Sequence, residues 1–238
     1  INVLYHQTGD LPNIATVNSG DVIQFGAGHP NNNYDTLLDT AAANRFQVAA
    51  SQSVVTSKGV ATYTSAWSSS AQFTLTITFA TADQGRYFFN SGGKIRINTS
   101  ISGGSGTAQY NAWVNFLNSV GIRSLGADTD PVVNYYTLTN SFQTYYQSSL
   151  STPYSANNYR LEARTNVSNN STGTATVLTL RATLTDAYTD PGAPAPGDSV
   201  DGTLTISAEE LKAAGTLFPS GSFSITSPTY SLSGITAS

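Results

Sequence analysis

Strict alternation of apolar and polar positions dominates the chain. Phe73-Thr74-Leu75-Thr76-Ile77-Thr78-Phe79 places four large apolar side chains on one face and threonines on the other, the pattern of a half-buried β-strand. Threonine suits the exposed face because a β-branched side chain fits a pleated surface. Lys94 to Ile101 repeats the pattern, with Ile95, Ile97, Thr99 and Ile101 turned inward. Tyr159 to Thr165 and Ala175 to Leu184 predict a strand pair joined by the polar, glycine-containing loop 166–173. Weaker strands are expected at 48–55, 60–64, 132–138, 203–206 and 222–226.

Helical spacing interrupts these strands. Asn33 can cap a helix over 34–44, where Tyr34, Leu37, Leu38 and Ala41 share a face. Tyr110, Trp113, Leu117 and Val120 predict another helix, closed by Gly121 as a left-handed cap. Ser207 and Glu210 have capping-box spacing ahead of Leu211, which predicts a short third helix closed by Gly215. Thr81 and Gln84 form a similar box ahead of 82–91, which reads as a helix stopped by Gly92. A hairpin turning at Asn90 to Gly93 is the competing reading of that stretch.

These elements predict a mainly β fold, a β-sandwich-like body with two or three short helices and an extended C-terminal arm. The expected core holds Phe73, Leu75, Ile77, Phe79, Phe88, Phe89, Ile95, Ile97, Trp113, Leu178 and Leu180. Residues 1–58 read as an N-terminal segment with a short helix, and 59–190 as the β-rich core. Residues 191–198 are a Pro/Gly connector, since proline cannot donate to a ladder. Residues 199–238 supply the C-terminal strands and the arm, lying along the body or along a neighbouring subunit. Methionine is absent and the chain opens with Ile1, so it is expected to continue from an upstream region or to have lost a leader.

Composition narrows the partners. Charged residues are 10% of the 238, against about 25% in an ordinary soluble domain. Ser, Thr, Asn and Gly take their place, so copies can pack without charge repulsion. Ten basic residues in no run, with a net charge of −4, argue against nucleic acid, which needs a Lys/Arg stripe. No apolar stretch is long enough to cross a bilayer as a helix. Cysteine is absent, which removes disulfides and thiolate metal sites.

The run from Phe79 to Ile97, FATADQGRYFFNSGGKIRI, resembles a motif of virion structural proteins of tailed bacteriophages, especially the myoviruses of marine cyanobacteria. In that family a His-Gln-Thr-Gly segment precedes the motif, as His6-Gln7-Thr8-Gly9 does here. A Trp-containing helix follows it, matched by Tyr110 to Val120, and then a Tyr- and Asn-rich strand pair, matched by Tyr154 to Arg164. Phe218-Pro219 and Ser227-Pro228 match the C-terminal segment. The resemblance implies a particle component without chemistry of its own, and helical repeats upstream of the His-Gln-Thr-Gly segment. Gly85 departs from it, standing where alanine is expected.

Candidate chemistry is sparse. His6 and His29 sit in polar or Gly/Pro settings with no nucleophile motif nearby, so both read as loop residues. Glu162 alternates with Arg160 and Arg164, which reads as a solvated, ion-paired face. Glu209 and Glu210 suit the positive end of the expected third helix. A carboxylate pair for glycoside hydrolysis is the remaining enzymatic option. Asp186, Asp190, Asp198 and Asp201, with Asp128 and Asp130 in another loop, are turn formers first and a weak calcium possibility second. Tyr135-Tyr136 and Tyr145-Tyr146 should each bury one ring, since neighbours on a strand face opposite ways. The other ring would serve a subunit contact or stack on sugar. Asn98, Asn166, Asn169 and Asn170 head glycosylation sequons that follow from composition.

The expectation is a non-enzymatic virion structural protein (tail, fibre, baseplate or particle surface) that forms homo-oligomers and packs with other virion proteins. No catalytic, cofactor or metal residue is assigned, and neither nucleic acid nor membrane is expected as a partner. A receptor- or glycan-binding module contacting host-surface glycan is the alternative, with an enzymatic tailspike third.

Overall fold

A computed structural model of the protein describes residues 53–189, 199–214 and 225–238. Ten strands, two α-helices and one 3-10 turn follow in chain order: β1 (Ser53–Tyr63), β2 (Ser70–Thr78), α1 (Ala82–Asn90), β3 (Lys94–Ser102), α2 (Ala108–Val120), β4 (Arg123–Leu125), the turn Tyr135–Thr137, β5 (Gln143–Ser149), β6 (Asn158–Thr165), β7 (Val177–Thr185), β8 (Thr203–Ala213), β9 (Thr229–Leu232) and β10 (Thr236–Ala237).

All strand pairs are antiparallel. A four-stranded sheet runs β1-β8-β3-β4, and a six-stranded sheet runs β10-β2-β7-β6-β5 with β9 also on β2. The alternation expected from sequence sets which face is buried. Phe73, Leu75 and Ile77 of β2 and Leu178 and Leu180 of β7 line the inner face of the larger sheet, opposite Ile95 and Ile97 of β3. All eleven expected core residues are buried, none more than 3% exposed. Thr99 and Tyr159 share a hydrogen bond of 2.8 Å from one sheet to the other, deep in this core. The body is a β-sandwich with two short helices.

Helix α1, within the run 79–97, links the two sheets. Thr81, in extended backbone, accepts the Gln84 N–H at 3.2 Å, which starts the helix as the capping box predicts. Phe88 and Phe89 then pack with Phe79 at ring separations of 5.0 to 5.8 Å, and Tyr135 stacks on Phe89 at 4.0 Å. The hairpin reading of 90–93 is therefore replaced by a helix that buries an aromatic cluster. Helix α2 places Trp113 against Trp67 at 5.5 Å and ends at Gly121. There φ is 60° as expected, but ψ of −153° lies outside the left-handed helical well, in a region open to glycine alone.

Several expectations are corrected. The expected strands 48–55 and 60–64 are one strand over their described part, since β1 runs through a bulge between Ser57 and Gly59; the expected boundary at 58 thus falls inside a strand. Residues 132–138 form no strand: Asn134 and Thr137 cap each other reciprocally and fold 135–137 into a 3-10 turn. The third helix is absent as well. Ser207 to Ala213 continues β8, which pairs β1 on one side and β3 on the other, and that double ladder overrides helical spacing. The described part of the C-terminal arm lies along the body, with β9 and β10 on the β2 edge and the Ser238 carbonyl accepting from the N–H groups of Ser68 and Ser69. The expected helix 34–44, the connector 191–198, residues 222–224, His6 and His29 lie outside the described residues.

Candidate functional site

Two open sides of the sandwich carry the side chains of interest. On one side β1 and β9 border each other, and here Glu210 is the central group. Continuing the inward positions Leu204, Ile206 and Ala208, it is fully buried within the sandwich and not on a helix surface as expected. Its carboxylate accepts from Ser227 Oγ at 2.8 Å and Tyr230 Oη at 2.7 Å, and lies 3.4 Å from Lys58 Nζ. Burial, and then the Glu210 charge, push the Tyr230 phenol well above its ordinary range. The result is a latch from the small sheet to the C-terminal strand of the large one. Glu209 faces the other way and pairs with Arg96 at 3.5 Å.

On the opposite side, the short edge strand β4 and the edge strand β5 border a cleft of about 580 Å³. Lys94, Arg123, Ser124, Asp128, Thr129, Asp130, Tyr145 and Tyr146 line it with Ile122. Tyrosines 145 and 146 do not face opposite ways as expected. A bulge between Thr144 and Tyr146 inserts Tyr145 as an unpaired residue, and both rings reach the same cleft. The Arg123 guanidinium lies 4.0 Å over the Tyr146 ring, and Lys94 pairs with Asp128 at 3.3 Å. Asp130 accepts from the N–H groups of Val132 and Val133 at 2.6 and 2.8 Å, which holds its carboxyl below the usual range. Two buried polar atoms here, Arg123 Nε and Tyr145 Oη, have no hydrogen-bond partner within the protein. Burial raises the Tyr145 phenol well above its ordinary value, with neighbouring Tyr159 adding to the effect.

The remaining sequence candidates are structural. Glu162 is not solvated: it is 6% exposed, and its carboxylate pairs with Arg181 of the neighbouring strand at 2.8 Å. Arg160 lies 3.5 Å from it, while Arg164 stacks over Phe142. Asp186 accepts from Gln109 Nε2 at 2.8 Å through both oxygens, and Asp201 accepts from the Ser105 N–H at 2.7 Å. Asp190 and Asp198 lie outside the described residues. Among the described residues no three His, Cys, Asp or Glu side chains come together to hold a metal. Tyr135 is buried, and the Tyr136 hydroxyl donates to Asn90. Of the sequon residues, Asn170 is fully buried, and Asn166 accepts from the N–H groups of Thr176 and Val177.

Arg123 and Lys94 of the cleft, and Lys58 of the latch, carried no signal in the sequence reading. Each is a single cation at a strand position, and only tertiary pairing brings its partner near. Compared with protein-family models, curated proteins and solved structures, the chain matches none.

Proposed function

We propose that the chain is a structural component of a phage particle that works by packing against copies of itself and other virion proteins, with no reaction of its own. The observation carrying this reading is the β1 edge. β1 is eleven residues long, among the described residues pairs β8 on one side only, and exposes Val54, Val55 and Val60 at 44%, 48% and 57%. Proteins blunt such edges with outward lysines or prolines. β1 has no proline, and its one charge, Lys58, turns inward to Glu210. The bulge at Gly59 is the sole interruption in its pairing. The occupant we assign to this edge is β1 of a second copy, paired antiparallel about a twofold axis to join two small sheets. A chain with so few charges meets its own kind without repulsion. The likeness of residues 79–97 to virion proteins adds support, since that run builds the aromatic centre of the body.

Light scattering after gel filtration, together with electron microscopy, tests the reading. The protein is expected to self-associate as concentration rises. Val54→Lys with Val60→Lys should dissociate it while leaving stability within about 0.5 kcal/mol, because both sites are exposed. A monomer at high concentration that never enters particles would refute the assignment.

A further inference from the structure

We propose that the cleft between the β4 and β5 edges binds a neutral saccharide. This goes beyond the assembly reading and does not depend on it. The lining carries two cations, Lys94 and Arg123, and two carboxylates, Asp128 and Asp130, so its formal charges cancel. A phosphate or uronate would need surplus cations, and a polyamine surplus acids. Sugar hydroxyls both donate and accept, and are matched by donors and acceptors set side by side. Lys94 and Arg123 donate, the two aspartates accept, and the hydroxyls of Ser124 and Thr129 do either.

Two further features favour a sugar. The Tyr146 ring offers an aromatic surface against which the C–H face of a pyranose can lie, with the Arg123 guanidinium already resting on it. Buried polar atoms are rarely left without partners, yet Arg123 Nε and Tyr145 Oη both are, at the same cleft. The volume of about 580 Å³ falls within the range of small-ligand sites and suits one or two sugar rings. Metal ions fit poorly, because the cleft supplies only two carboxylates, flanked by two cations, and no three His, Cys, Asp or Glu side chains come together among the described residues.

Saturation-transfer NMR on the full chain tests the proposal. The probes are glucose, galactose, mannose, N-acetylglucosamine and their disaccharides, with glucuronic acid as the charged comparator. At least one neutral sugar should bind, with glucuronic acid weaker. Arg123→Ala and Tyr146→Ala should each weaken that binding about tenfold or more, the loss expected for a charge-assisted hydrogen bond or a stacking surface. Arg164→Ala, on the far face of the large sheet, should leave it unchanged. Asp128→Asn, at an exposed loop position, keeps the test open if a larger change disturbs folding, and should weaken binding several-fold. No transfer to any neutral probe at tens of millimolar overturns the proposal. So does unchanged binding in the cleft variants, or a preference for glucuronic acid. A monomeric protein that still binds sugar would remove the assembly reading and leave this one standing.

Discussion

At Gly85, local preference and packing pull in opposite directions. Glycine within a helix costs about 1 kcal/mol relative to alanine, so local preference alone would favour alanine there. In the folded chain a Cβ at Gly85 would stand 2.8 Å from the Tyr135 hydroxyl. That hydroxyl has little freedom to retreat, because Tyr135 is fully buried, stacks on Phe89 and donates to the Ala175 carbonyl at 3.3 Å. Overpacking of this kind costs about 1–3 kcal/mol. Gly85→Ala is therefore expected to lower stability by about 1–2 kcal/mol in urea denaturation, and Gly85→Ala with Tyr135→Phe to recover part of the loss. A stabilised single variant would show that Tyr135 yields freely. The same limit explains why the cleft tyrosines were misplaced from sequence. Alternation assumes an unbroken ladder, and nothing in Gln143 to Ser149 announces that one residue will bulge.

Among the elements, β2, β3, β6, β7 and the two helices were legible because each states its period within its own residues. Phe73 to Phe79 alternates without exception, and Thr81 with Gln84 caps α1 as spacing predicts. β8 was not legible past Ile206. Ser-Ala-Glu-Glu-Leu-Lys-Ala is rich in good helix formers, and its capping-box spacing is real; the strand is dictated by β1 and β3, which lie far away in sequence. With the helix went the role of Glu210, since a carboxylate on a helix surface has no reason to be buried. In β8 it ties the small sheet to Ser227 and Tyr230 of the returning C-terminal segment. Glu210→Ala should accordingly cost about 3 kcal/mol or more, because Lys58 is left half-buried without its partner. Tyr230→Phe removes one hydrogen bond to a charged group and should cost about 1.5–3 kcal/mol. If Glu210→Ala unfolds at the same urea concentration as the parent chain, the latch contributes nothing to stability.

For the whole molecule, a surface with few charges leaves most of the pH response to the interior, and the interior is rich in phenols. Burial raises Tyr135, up to about 12, and carries Tyr159 higher still, while Tyr145 and Tyr230 shift the same way. In the unfolded chain each phenol gives up its proton near pH 10. Above that value the unfolded state binds fewer protons than the folded one, so stability falls as pH rises. The contribution is fully present below about pH 10. For Tyr135 it is lost by about pH 12, and for the others the loss continues beyond. Each fully buried phenol costs about 1.4 kcal/mol per pH unit in that window, so Tyr135 and Tyr159 together cost about 3 kcal/mol per pH unit, or about 5–6 kcal/mol between about pH 10 and 12. This loss is comparable with the low end of a typical net stability of about 5–15 kcal/mol, and the domain is expected to unfold in alkali as the buried phenols ionise. Absorbance at 295 nm and far-UV circular dichroism, followed through the same titration, should show two groups among the 13 tyrosines. Exposed phenols ionise first with the fold intact, and the buried ones ionise together with the loss of β signal. A single ionisation step near pH 10 with an unchanged β spectrum would mean that these hydroxyls are open to solvent, and that Tyr159 does not hold the two sheets together at Thr99.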